Sequence, residues 1–298
     1  MSNIFTHSQL DIRSNPNLFI NGCMSVNQRA FNNLGTSNYT LDRWLVFPFD
    51  GLTNVNVNQS VDTMPHLGIN AETAMRCRPS GAGSYGIYQK IEGDAFFGRT
   101  FTVSGKARAQ TGAVNFTGID VYLYNGTTHH KVETEATLVE IGFEGAEFSV
   151  TFKTPNADYP KYNKILYMQV ELHFASAGSG DDIYHTHFKI EEGSVATPFV
   201  ADAPATNLAK CQRYYYSNST RPSNFYPLDY QQGVTRFWSS MWPVTMRSDP
   251  SVSVGGLSNL TLTSTAQSTA DVCSLQFATA SAQAGSASFA TFTADAEL

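Results

Sequence analysis

From Asn17 to about Phe199 apolar and polar residues alternate in short runs. In KILYMQVELHF the residues Leu166, Met168, Val170, Leu172 and Phe174 recur at every second position, with Gln169, Glu171 and His173 between them. Successive side chains of a strand point to opposite faces, so this period predicts an antiparallel strand with one oily and one wet face. The pattern returns in RTFTVSGKARA (Phe101, Val103), GIDVYLYNG (Ile119, Val121, Leu123) and AEFSVTFKTP (Phe148, Val150, Phe152), with turn residues between the runs. Strands spaced this way without intervening helices predict a two-sheet sandwich around one core.

The alternation stops in KIEEGSVATPFVADAPATNLAKCQRYYY, residues 189–216. Pro204 is expected to end the extended segment and Thr206 to cap a short helix, in which Leu208, Cys211 and Tyr215 fall at i, i+3 and i+7. The run reads as a seam between two modules, with Tyr214, Tyr215 and Tyr216 serving packing more than ligand contact. Beyond it Val252 alternates with Val254 and Leu260 with Leu262, whereas Phe289 and Phe292 break the alternation, which predicts a bulge or register change. The expected organisation is an arm or attachment segment at 1–16, a sandwich domain at 17–203 and a smaller β-domain at 204–298.

Composition narrows the function. At 298 residues, with 15% charged and 12% aromatic residues, the chain suits two medium β-domains. A net charge of −6 and the absence of any Lys/Arg cluster argue against a nucleic-acid partner. No apolar run reaches the roughly 18 residues of a membrane-spanning helix, and MSNIFTHSQL lacks the basic start and apolar stretch of a secretion signal. The expectation is a chain made in the cytoplasm with no membrane insertion. Cys23, Cys77, Cys211 and Cys273 lie far apart with no C-x-x-C spacing, so they read as small, mostly buried hydrophobes.

Five segments in order, NLFINGCMSVNQRA, YTLDRW, YGIYQKIEG, GRTFTVSGKARA and KIEEGSVATPF, resemble the jelly-roll, carbohydrate-binding-module-like domain of many bacteriophage tail fibres and other virion surface proteins. LAKCQRYYY, WPVTMRSDPSVSV and FTADAEL resemble the small C-terminal domain that follows it in those fibres; Asn27 stands where the family more often has an aromatic residue. The resemblance implies an all-β fold, a jelly-roll β-sandwich followed by a smaller C-terminal β-domain opened by a short helix. It also implies a virion surface protein, usually a homotrimer, that binds host-surface polysaccharide or serves as an adaptor or decoration, and it does not imply a catalytic site. The arm at 1–16 is expected to dock onto other virion proteins. The alternative is a structural decoration, head-fibre or adaptor protein with no glycan ligand.

Candidate chemistry follows from residue placement. Glycoside hydrolysis needs two carboxylates roughly 5 to 10 Å apart across a cleft. Glu191 and Glu192 are adjacent in a strand and point to opposite faces, while Glu133, Glu135 and Glu140 lie in a polar connection expected to be a solvated edge. No G-x-S-x-G, H-E-x-x-H or P-loop is present, so no enzyme is expected. His185 and His187, two apart, read either as a polar outer row or, with His173, as a cation site. Asp181 and Asp182 in the Gly-rich SAGSGDDIY are candidate ligands for a structural calcium.

For sugar contact, an exposed aromatic ring packs against C–H groups beside amides or carboxylates that bond hydroxyls. Tyr122 and Tyr124 occupy the face opposite Ile119, Val121 and Leu123, next to Asn125, and serve either a glycan or a subunit interface. Tyr226, Asp229 and Tyr230 form a second candidate surface. Trp44, Trp238 and Trp242 are expected in cores or interfaces, and Asp42 with Arg43 as a local ion pair.

Overall fold

The computed structural model describes residues 16–35, 38–93, 96–156, 165–176, 178, 180–218, 223–225, 235–258, 260–279, 287–289 and 291–298. The chain divides into two compact units, Met1–Ala203 and Pro204–Leu298. Of the expected arm, residues 1–15 lie outside the described residues.

The first unit carries β1 (Asn32–Gly35), β2 (Asn38–Tyr39), β3 (Leu45–Phe49), β4 (Val55–Met64), β5 (Ile69–Pro79), β6 (Gly83–Glu92) and β7 (Thr100–Ala109). It continues with β8 (Val114–Tyr124), β9 (His129–Val132), β10 (Val139–Ile141), β11 (Ala146–Lys153), β12 (Tyr167–Ser176) and β13 (Ile183–Glu192). These form a six-stranded sheet ordered β1-β4-β5-β13-β7-β11 and a seven-stranded sheet ordered β10-β8-β12-β6-β3-β2, with β9 added beside β8. All pairings are antiparallel, and the central neighbours β12–β6, β12–β8 and β13–β7 come from distant parts of the chain, as in a jelly-roll sandwich.

The period-two rows supply the core. Ile119, Val121, Leu123, Met168, Val170, Leu172 and Phe174 from one sheet meet Phe101, Val103, Phe148, Val150, Phe152 and Ile190 from the other, all buried. Phe116 of β8 stacks on Phe148 of β11 with centroids 4.1 Å apart, which ties the two sheets together. Trp44 is fully buried between Phe19 and Phe188, and its indole N–H donates to the Asn21 carbonyl at 2.9 Å. Losing a buried indole of this kind costs roughly 3 to 5 kcal/mol.

Four expectations change. Leu166 is 42% exposed and precedes the strand, which begins at Tyr167. Asp42 and Arg43 are both buried, and their bonds run elsewhere: Asp42 accepts from Gln28 and meets Arg29, whereas Arg43 donates to the Lys90 carbonyl. Arg43 sits at φ +73° in the turn before β3, which separates the two directions. His185 is not in an outer row: it is fully buried against Tyr85, Phe174 and Phe188. The register of β13 shifts between Thr186 and Lys189, and His187 (φ +56°) stacks on Phe199 and bonds Glu72. A bulge of this kind cancels the alternation that would have kept the two imidazoles on one face.

The second unit opens with α1 (Pro204–Gln212). Pro204 is its first residue and so ends the preceding segment, because its preset φ suits the first turn and its missing N–H is not needed there. Thr206 therefore lies inside the helix and does not cap it. The buried helical face is Asn207 and Cys211, at i and i+4, with Leu208 38% exposed and Tyr215 already in a strand.

The strands that follow are β14 (Tyr215–Ser217), β15 (Ser223–Phe225), β16 (Thr235–Met241), β17 (Ser251–Gly255), β18 (Leu260–Ser268), β19 (Val272–Thr279), β20 (Ala287–Phe289) and β21 (Thr291–Asp295). They pair as β14-β21-β17, β15-β20 and β16-β19-β18. Phe289 and Phe292 break alternation because they belong to different pairings, yet both are buried beside Trp242, Leu275 and Phe277. Tyr216 packs on this core, 5.9 Å from Trp242.

Candidate functional site

The outward face of the seven-stranded sheet gathers the chemistry. Antiparallel register places directly paired residues on the same face. Tyr124 pairs with Tyr167, Tyr122 with Gln169 and Asp120 with Glu171; on the other side of β12, Glu171 pairs with Tyr88 and His173 with Gly86. Phe47 also pairs with Gly86, while Lys131 and His129 of β9 pair with Tyr122 and Tyr124. One pleated surface thus runs from β9 through β8, β12 and β6 to β3.

Aromatic rings occupy its two ends. At one end Tyr124 stacks on Tyr167 with centroids 4.7 Å apart and planes 24° apart, His129 lies 4.6 Å from Tyr124, and the Lys90 ammonium sits 5.1 Å over Tyr167. At the other end Phe47 lies 5.5 Å from Tyr88 and 5.6 Å from Phe49, and Phe49 is 5.1 Å from His173. The Phe47 ring covers Gly86: a Cβ there would fall inside the ring's van der Waals envelope.

Polar groups fill the middle. Lys131 pairs with Asp120 at 2.8 Å and Tyr122 donates to Asp120 at 3.2 Å. Gln169 donates to Glu171 at 2.5 Å, and the His173 ring nitrogen lies 3.2 Å from the second Glu171 oxygen. Burial and the neighbouring Glu171 push the Tyr88 phenol up to about 12, and burial with Asp120 raises Tyr122. Burial and Lys90 lower His129, which lies beside the stacked tyrosines. The hydrogen bond that Lys131 donates to Asp120 raises the Lys131 ammonium. Beside this row a cleft of about 230 Å³ is lined by Thr117, Gly118, Asp120, Lys131, Glu133, Glu135 and His173.

The structure brings Tyr122 and Tyr124 together on this face. Asn125 turns away from it: its side-chain carbonyl accepts from Thr127 and Thr128, and its amide meets His130 at 3.0 Å, so it holds the turn into β9. Tyr226, Asp229 and Tyr230 lie outside the described residues. Asp181 and Asp182 sit just before β13 of the six-stranded sheet, away from the aromatic face. Asp182 takes paired hydrogen bonds from both Arg76 and Arg78 at 2.7–2.8 Å, and Asp181 is 9% exposed beside the Ser176 hydroxyl. Burial alone would raise the Asp182 carboxyl, but the two guanidiniums outweigh it and hold it below the usual range.

Residue reading from the sequence did not single out Phe47, Phe49, Tyr88 or Asp120. Phe47 and Phe49 do stand two apart, the signal of a shared face, but the adjacent apolar Leu45 and Val46 mask it.

No family model and no curated protein matches the chain. Among solved structures it is similar to a family 61 carbohydrate-binding module in complex with β-1,4-galactotriose, at 12% identity and TM-score 0.36, covering 60% of this chain and 99% of that one. It is also similar to a xylan-binding family 22 module of Paenibacillus barcinonensis, at 8% identity and TM-score 0.37, covering 61% and 98%. A third is the enzymatically active domain of bacteriophage CBA120 tailspike protein 4, at 15% identity and TM-score 0.36, covering 59% of this chain and 21% of that one.

Proposed function

We propose that the first unit is a glycan-binding module whose site is the outward face of the seven-stranded sheet. The observation that carries this reading is the arrangement of two aromatic clusters flanking a row of carboxylate, amide and imidazole groups on one continuous surface. Apolar faces of sugar rings pack on the aromatics, and hydroxyls exchange hydrogen bonds with Asp120, Gln169 and Glu171. Five adjacent strands span roughly 19 Å at a spacing of ~4.8 Å, enough for several sugar units in a row. The role is retention of a polysaccharide, without bond cleavage.

Within that reading the chain serves on a bacteriophage virion, as a homotrimer attached through its N-terminal arm, and holds host-surface polysaccharide. The order of segments shared with tail-fibre proteins supports this, and several weak sites on one particle raise avidity by roughly 10² to 10⁴. A glycan array with the purified full chain, followed by calorimetry on the best hit, tests it. Saturable binding to a host polysaccharide that Tyr124→Ala weakens is the expected result. No binding to any host polysaccharide, with tight binding to capsid or tail proteins, overturns it.

A decoration or adaptor role is favoured by a different observation. Phe237 and Met241 of β16 are 67% and 78% exposed on a strand that, among the described residues, pairs on one side only.

A further inference from the structure

The geometry points to a divalent transition-metal site formed by Asp120, Glu171 and His173, with zinc as the ion that fits best. This inference does not rest on glycan binding. One donor atom of each residue lies within 4.8 Å of the other two.

The topology makes the cluster. Glu171 and His173 are two apart on β12 and share its outward face, and Asp120 lies directly across from Glu171 on β8. Two carboxylates in direct register repel each other. Lys131 pairs with Asp120 at 2.8 Å, and among the described residues Glu171 meets the Gln169 amide and the His173 imidazole. A doubly charged ion between the three groups would screen the two carboxylates from each other and offset the Glu171 charge that Lys131 does not balance. The ring nitrogen of His173 and the facing Glu171 oxygen are already 3.2 Å apart, close to the ligand–ligand edge of about 3.3 Å that a tetrahedral site with ~2.0–2.1 Å bonds requires.

Donor chemistry selects the ion. Calcium takes six to eight oxygens, whereas the imidazole nitrogen favours a transition metal, and zinc accepts both imidazole nitrogen and carboxylate oxygen with a fourth position left open. Space for that position exists. The β8–β12 register shifts between His173 and Phe174, and Gly118, with no side chain, stands opposite His173 at the edge of the 230 Å³ cleft. The three side chains are 23%, 12% and 19% exposed, enough for an ion to enter. Supporting contacts orient them: Tyr122 and Lys131 on Asp120, Gln169 on Glu171, and the Phe49 ring 5.1 Å from the imidazole.

The test titrates the chelator-stripped full chain with Zn²⁺ by calorimetry and with Co²⁺ by visible absorption. The expected result is one ion per chain, with Co²⁺ bands of tetrahedral nitrogen/oxygen coordination. Glu171→Gln and His173→Asn, checked for folding by circular dichroism, should each weaken binding by at least about tenfold. His66→Asn, at the exposed pair with Glu144, should leave it unchanged. If either variant unfolds, Co²⁺ broadening of imidazole signals in the unaltered chain decides, with broadening at His173 supporting the site. No saturable binding, binding unchanged in both folded variants, or broadening that spares His173 overturns the inference.

Discussion

Tyr124 and Tyr167 stack at 4.7 Å from directly paired positions on β8 and β12. Tyr167 is only 7% exposed and forms a floor under Tyr124, which is the ring of this pair that the proposed glycan site uses. Tyr124→Ala is expected to weaken glycan binding about tenfold, near 1.4 kcal/mol, with little loss of stability. Calorimetry beside thermal melting separates the two effects, and unchanged affinity would remove Tyr124 from the site.

Gly86→Ala tests the opposite end of the face. The added methyl must displace the Phe47 ring, a movable side chain, so a stability loss of roughly 1 to 3 kcal/mol is expected. Glycan affinity should drop while the Tyr124–Tyr167 end keeps its fluorescence response to ligand. Full affinity in a folded Gly86→Ala protein would exclude Phe47 from binding.

Buried His185 makes the first unit acid-sensitive. Its ring meets the Tyr85 hydroxyl at 2.9 Å, and burial lowers its pKa from 6.5 to about 3. The unfolded chain therefore takes up a proton below pH 6.5 that the folded chain refuses. Stability from this group is complete above pH 6.5 and declines as pH falls toward 3, by roughly 2 to 3 kcal/mol at pH 4.5. Urea unfolding at pH 7 and pH 4.5 measures the slope, which His185→Gln should flatten.

Lys189 and Glu191 form an ion pair at 3.2 Å that is 1% and 0% exposed, closed over by Thr197, whose N–H donates to Glu191 at 2.7 Å. Glu191→Ala leaves a buried ammonium without its carboxylate and should destabilise the unit by about 3 to 5 kcal/mol. The double change Lys189→Met with Glu191→Leu should recover much of that loss in denaturant unfolding. A single variant as stable as the parent would show that the pair is not needed.

Much of the architecture was legible in the alternation. Period two in GIDVYLYNG and YMQVELHF assigned Val121, Leu123, Val170 and Leu172 to a core and Tyr122, Tyr124, Glu171 and His173 to the other side, because burial of one face follows directly from strand geometry. Local chemistry misled where a bulge or a turn intervened, as at His185 and His187 or at Asp42 and Arg43.

The sequence by itself determined which residues could share a face, since that depends only on chain geometry and the exclusion of water from apolar side chains. Only the tertiary structure decided which strands lie side by side. Asp120 and Glu171 are 51 positions apart, and Phe47 reaches His173 across β6; pairing of distant strands by long-range packing has no local signature. The candidate site is made of those cross-strand meetings, and so it became visible only in the folded sheet.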